Sequence, residues 1–194
     1  MNNIAIFASG TGSNFQALIN DPKIRPAVRL LVCDQENAQV ISRAERENIP
    51  VFVCLAKDHV NKASFEEKIL TKLKGHQINF CVLAGYMRMI GNTLLAAYPK
   101  RIINLHPSFL PEFPGKDAIG QAFRAGVAQT GITAHFVDSG VDTGPIIAQE
   151  RISILQGESE EELTQKIHQA EHRFYPTIVC DLILGNVACE RKEG

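Results

Sequence analysis

Three stretches of this sequence combine residue types able to do polar chemistry. In Asn104-Leu105-His106-Pro107-Ser108 an amide and an imidazole stand two positions apart. On an extended chain residues i and i+2 face the same way, so Asn104 and His106 sit side by side while Leu105 turns toward a core. Pro107 holds His106 extended. The imidazole can donate or accept a proton near neutral pH, and the amide can hydrogen-bond beside it. The alternative for a lone histidine at a strand end is a structural role. Asp142, in Val141-Asp142-Thr143-Gly144, joins the pair only if its turn folds back toward His106. Otherwise it is a turn residue, as Asp138, Gly140 and Gly144 are expected to be.

The second stretch, Gly10-Thr11-Gly12-Ser13-Asn14, follows an apolar run and opens a helical pattern. Backbone amides and a helix N-terminus in that setting bind phosphate; a simple tight turn is the alternative. Phe15 stands where a third dinucleotide-binding glycine belongs, and no Gly-Lys-Ser/Thr follows, so neither familiar nucleotide loop is complete. The third stretch, His168-Gln169-Ala170-Glu171-His172, fits H-x-x-E-H, a zinc-protease signature. Arg173 and Pro176 follow closely and no carboxylate cluster lies downstream, so no metal is expected there. No G-x-S-x-G marks a serine hydrolase. Five cysteines (Cys33, Cys54, Cys81, Cys180 and Cys189) form no C-x-x-C pair and read as reduced thiols of a cytoplasmic protein.

The elements that must position these groups alternate. Short apolar runs at 4–8, 28–33, 51–54, 80–84 and 101–105 predict strands; 15–19, 39–47, 63–73 and 92–97 predict helices between them. That order predicts an α/β domain with a Rossmann-like, doubly wound parallel sheet. Ligands bind such sheets at the carboxyl ends of the strands, where both the glycine loop and His106 fall. After residue 105 the pattern changes. Pro107, Pro111, Pro114 and Gly115 mark a rigid loop, and 118–125 a helix. The runs 130–137, which contains His135, and 145–154 predict an antiparallel hairpin. Ser159-Glu160-Glu161-Glu162 is a capping box for a last long helix burying Leu163, Ile167 and Ala170, which Pro176 should kink or interrupt. Lys62, Lys68, Lys72 and Lys74 read as a solvated helix face.

With 194 residues and 45% hydrophobic composition, the chain can bury one full core without disulfides or metals. The formal net charge of −1 creates no global field for nucleic acid or an anionic membrane, so an anionic substrate needs a locally built site. Met1-Asn2-Asn3 runs straight into an apolar segment with neither a cationic region nor a cleavage site, so no secretory leader is expected. No apolar run is long enough for a membrane helix.

Taken in order, Ala8-Ser9-Gly10-Thr11-Gly12-Ser13-Asn14, Leu83-Ala84-Gly85-Tyr86-Met87-Arg88, Asn104-Leu105-His106-Pro107-Ser108-Phe109-Leu110-Pro111 and Val141-Asp142-Thr143-Gly144 resemble the phosphoribosylglycinamide formyltransferase family over nearly the whole chain. The resemblance implies formyl transfer from 10-formyltetrahydrofolate, a co-substrate, to the amine of glycinamide ribonucleotide in purine biosynthesis. It requires no metal. It implies a catalytic trio of Asn104, His106 and Asp142, with Asn104 also facing folate. Gly12, Ser13 and Asn14 would hold the ribonucleotide phosphate, Phe15 and Gln16 would also bind that substrate, and Glu171 would contact its ribose and glycinamide side. Met87, Arg88, Met89 and Ile90 would line the folate pocket, with Lys62 where relatives often have arginine. Relatives carry histidines near Lys116-Asp117-Ala118-Ile119; this chain does not. The chain would be a single formyltransferase domain. Residues 1–100 would form a phosphate-binding half and residues 101–194 a catalytic and folate-binding half. Monomer and homodimer are both compatible with this reading. A related folate-dependent formyltransferase, a formyltetrahydrofolate hydrolase and a non-catalytic nucleotide- or folate-binding module are the alternatives. Retention of all three catalytic residues argues against the last.

Overall fold

In a computed structural model, residues 2–186 are described; Met1 and residues 187–194, including Cys189 and the end of the 101–194 segment, lie outside. Seven strands form one sheet: β1 (Ile4–Ala8), β2 (Val28–Cys33), β3 (Val51–Val53), β4 (Phe80–Leu83), β5 (Ile102–His106), β6 (Gln129–Phe136) and β7 (Ile146–Ser153). Their order is β3-β2-β1-β4-β5-β6-β7. The first five are parallel, and β6 and β7 are antiparallel additions, as the change of pattern after residue 105 implies. All five residues of β1 are buried, which is why it reads as a continuous apolar run.

Helices α1 (Ser13–Ile19), α2 (Gln39–Arg46), α3 (Lys62–Gly75), α4 (Asn92–Ala97), α5 (Ala118–Ala125) and α6 (Glu160–Leu184) complete the domain. One face of the sheet packs Ile4, Ile6, Val82, Ile103 and Leu105 against α1, α2, α5 and α6. The other packs Ala5, Phe7, Leu83 and Ile102 against Phe65, Ile69 and Leu73 of α3 and Leu94 of α4. On β5, Asn104 and His106 alternate with Ile103 and Leu105, so they share the face of α3 and α4. There the face above β5 and β6 is left to loops, and this opening is the candidate site.

Pro176 does not interrupt α6, which runs from Glu160 to Leu184. The expected break is a local preference costing about 3 kcal/mol. Tyr175, Val179, Leu182 and Ile183 are buried around it. Each such side chain contributes roughly 1.5–3 kcal/mol, enough together to carry the helix through. The Ser159–Glu162 capping box forms as expected, and Leu163, Ile167 and Ala170 are buried.

Candidate functional site

The strand order reverses between β1 and β4, and the loops at the carboxyl ends of these two strands are joined. Ser9 N–H donates to the Gly85 carbonyl at 3.1 Å, and Met87 N–H donates to Ser9 Oγ at 2.9 Å. Such a switch point is where open α/β sheets bind ligands. Gly12 adopts φ +77°, and a Cβ there would lie 2.5 Å from Val40 Cγ2. The loop therefore needs glycine for conformation and for space. From α2, Val40 N–H donates to the Gly10 carbonyl, and Arg43 Nε donates to the Thr11 carbonyl at 2.8 Å. Ser13 begins α1 directly after this clamp. Two expected substrate contacts are spent elsewhere. The Phe15 ring is buried in the core, leaving only its backbone to the loop, and the Gln16 amide donates to Asn20 and accepts from Arg43.

α6 crosses this loop. Asn14 Nδ2 donates to Glu171 Oε2 at 3.0 Å, with Glu171 6% exposed. Burial pushes the Glu171 carboxyl above its ordinary range; the Asn14 bond and the His168 charge oppose that only in part. Asn14 Oδ1 and His172 Nε2 are buried with no hydrogen-bond partner. Such groups are costly to leave alone and call for an added donor or acceptor. His168 is exposed, and among the described residues no group of three His, Cys, Asp or Glu could hold a metal ion.

The second cluster lies on the opening above β5 and β6. Residues 138–144 leave the end of β6, where Val137 N–H donates to the Ile102 carbonyl, and return over the sheet face. Asp142, at φ +54°, thereby reaches His106: Oδ2 lies 3.3 Å from Nδ1, and it also accepts Gly115 N–H at 2.8 Å. His106, 4% exposed, donates Nε2–H to the Phe113 carbonyl at 2.9 Å. Both its ring nitrogens thus face acceptors. His135 was legible only as part of a strand run, yet it completes the group. Its Nδ1 donates to the Phe136 carbonyl, and its Nε2 lies 3.3 Å from Asn104 Nδ2 and 3.6 Å from Asp142 Oδ1. Antiparallel pairing sets Asn104 opposite His135. Burial raises the Asp142 carboxyl, but His135, the Gly115 amide and His106 outweigh it and hold it below the ordinary range. Thr133 pins the loop that follows His106: it accepts Leu110 N–H and donates to the Ser108 carbonyl.

The mouth of the crevice is apolar. Met87 is 74% exposed, Met89 54% and Val141 48%. An exposed methionine pair beside buried polar groups suits a flat, partly apolar ligand ring. Ile90 turns into the core beneath them. Arg88 Nε donates to buried Asp34 at 2.9 Å, and its guanidinium lies over the Phe65 ring. Lys62 opens α3 and is exposed.

The glycine-clamped loop with its orphaned polar pair and the Asn–His–His–Asp cluster both lie at the carboxyl ends of the parallel strands, the place where an open α/β enzyme takes its ligands. The chain belongs to the formyl transferase family, whose model matches residues 2–179. It is 51% identical over 186 residues to the phosphoribosylglycinamide formyltransferase of Bacillus subtilis (strain 168), covering 94% of this chain and 95% of that protein. The crystal structure of glycinamide ribonucleotide transformylase 1 from Geobacillus kaustophilus matches with a TM-score of 0.90 at 57% identity, covering 94% of this chain and 98% of that one. The trifunctional purine biosynthetic protein adenosine-3 of Homo sapiens is 34% identical over 187 residues, and the match spans 18% of its length.

Proposed function

We infer that this chain transfers the formyl group of 10-formyltetrahydrofolate to the amine of phosphoribosylglycinamide, a step of purine biosynthesis, in the cytoplasm, as a monomer or homodimer. The observation that carries the reading is the meeting of Asn104, His106 and Asp142 at the carboxyl end of β5, the same edge of the parallel sheet at which the Gly12 loop follows β1. The identities to the formyltransferase relatives favour transfer over hydrolysis of the formyl donor.

In this reading Gly12, Ser13 and Asn14 hold the phosphate through backbone amides. The orphaned Asn14 Oδ1 and the strained charge of Glu171 fit the hydroxyl and amine donors of the ribonucleotide. Met87, Arg88, Met89, Ile90 and Lys62 hold the folate. The division of labour is a phosphate-binding half, residues 1–100, and a catalytic and folate-binding half, residues 101–194. Lys62, the Met87–Ile90 stretch and Glu171 reach across that boundary.

The amine lone pair attacks the formyl carbon, and the carbonyl electrons move onto oxygen. That oxyanion takes the Nε2–H that His106 now gives to the Phe113 carbonyl, and Asn104 Nδ2 donates beside it. Asp142, with Oδ2 3.3 Å from Nδ1, holds the His106 ring in place with Nε2–H turned to that oxygen. The amine proton passes to the folate N10, the N10–carbon bond breaks, and the carbonyl re-forms. The test is to incubate the protein with both substrates and separate the products. Stoichiometric formylated ribonucleotide is expected; release of free formate regardless of ribonucleotide would overturn the reading.

A further inference from the structure

We propose that Glu66 is a positioning residue for the formyl donor: a buried carboxylate on α3 that fixes the tail of the 85–91 loop and so sets folate affinity. The proposal rests on the reading of that loop as the folate-binding segment. Glu66 is 2% exposed, between Phe65 and Ile69 on the core side of α3. A carboxylate so placed must be matched by donors. Among the described residues no cation comes within 4.0 Å of it, and its partners are backbone amides instead. Oε1 accepts Gly91 N–H at 2.5 Å and Oε2 accepts Leu94 N–H at 3.3 Å.

Those amides, at the N-cap and third helical position, are two of the four orphan donors of α4, whose N-cap, Gly91, has no side chain to satisfy them. Glu66 therefore caps α4 from a neighbouring helix, and α4 begins three residues after Met89. At its other end the same loop is tied to Ser9. The exposed Met87 and Met89 are thus strung between two fixed points. Gly91 shows how closely the tail is held: a Cβ there would lie 2.7 Å from Lys62 Cε and 2.8 Å from Glu66 Oε1. Because both Glu66 oxygens are turned to amides, Lys62, one turn earlier on α3, has no carboxylate within 4.0 Å among the described residues. Its ammonium stays available beside the loop.

The experiment compares Glu66→Ala, Glu66→Gln and Gly91→Ala with the wild type, by amide exchange over residues 86–94 and by steady-state kinetics in both substrates. Glu66→Ala should speed exchange in the loop and raise KM for the formyl folate roughly tenfold, the scale of one charge-assisted hydrogen bond. KM for the ribonucleotide should stay within about twofold. Glutamine can accept only one of the two amides, so Glu66→Gln should fall between. If Glu66→Ala does not fold, Gly91→Ala decides, since its methyl displaces the carboxylate without removing it; the same folate-selective rise is expected. Unchanged exchange in a folded variant overturns the positioning role itself. A loosened loop with unchanged folate KM overturns it through the pocket reading. An equal rise in both KM values shows general weakening and also overturns it.

Discussion

Two buried clusters, one beside the Gly12 loop and one at the end of β5, each contain a carboxylate, and their surroundings push the two in opposite directions. Asp142 lies among His106, His135 and the Gly115 amide, which together outweigh its burial and keep it ionised. Glu171 has one side-chain donor, Asn14, and burial drives it toward the neutral form. Around Asp142 no buried side-chain nitrogen or oxygen among the described residues is left without a partner; beside Glu171, Asn14 Oδ1 and His172 Nε2 have none. In the first cluster the Asp142 carboxylate is held charged by groups of the protein itself. The second is short of donors that only a ligand can supply. Preorganised charge serves a transition state, and unmet polar groups serve binding.

If the first cluster is finished in advance, damage to it should appear in turnover and hardly in KM. His106→Ala removes an oxyanion donor, so kcat should fall by about 10²–10³. Because His106 is buried and bonded to Phe113, folding stability should also drop by about 1–3 kcal/mol, measurable by urea titration. A folded variant with near-normal turnover would remove His106 from the mechanism. Asp142→Asn is the next largest. Asparagine can still accept from Gly115, so the loop stays, but the charge goes. The ring of His106 then loses a charge-assisted partner, worth about 1.5–3 kcal/mol, so kcat should fall on the order of tenfold to a hundredfold. Weakened binding of both substrates with kcat preserved would mean that Asp142 only holds the loop.

Local pattern made parts of this arrangement readable. β1 and β2 are buried along most of their length, so their apolar runs mark the strand ends to the residue. Asn104 and His106 were legible because strand period alone decides that they share a face. His135 was not, because its place opposite Asn104 depends on antiparallel register between segments 31 residues apart. Asp142 could be placed only conditionally, since nothing local says that residues 138–144 climb back over the sheet. The interruption expected at Pro176 does not occur, because burial outweighs a backbone preference there. Glu66 carried no signal at all: in a lysine-rich helical run it looks like a solvated charge, and only the packing of α3 on α4 turns it inward.

The second cluster predicts binding effects. Gly12→Ala places a Cβ against Val40 and strains a left-handed backbone, at a cost of order 1–3 kcal/mol. The loop can relieve this only by moving away from α2, and its amides move with it. KM for the ribonucleotide should rise about tenfold while KM for the folate changes little, read by steady-state kinetics. Equal changes in both would deny the loop its separate role in phosphate binding.

The smallest effect is also the sharpest test of the contrast between the carboxylates. The folded Glu171 is held above its ordinary carboxylate range, first by burial. The unfolded chain therefore loses this proton at lower pH than the folded one. Stability should fall as pH rises from the ordinary glutamate value through the raised folded value, and level off above it. Glu171→Gln keeps an acceptor for Asn14 and removes the titration. Without ligand the variant should match the wild type at low pH and exceed it near neutrality, by about 1–3 kcal/mol. That corresponds to roughly 2–4 °C of Tm per kcal/mol for a chain of this size. His172 titrates nearby and, held low by its own burial and the His168 charge, costs stability as pH falls. Taking the difference between variant and wild type at each pH largely removes that contribution. The same variant should bind the ribonucleotide more weakly, because the charge that burdened the empty site is what the ligand's donors meet. A Glu171→Gln protein less stable than wild type at neutral pH would show the carboxylate to be satisfied already, and the two clusters would then be alike.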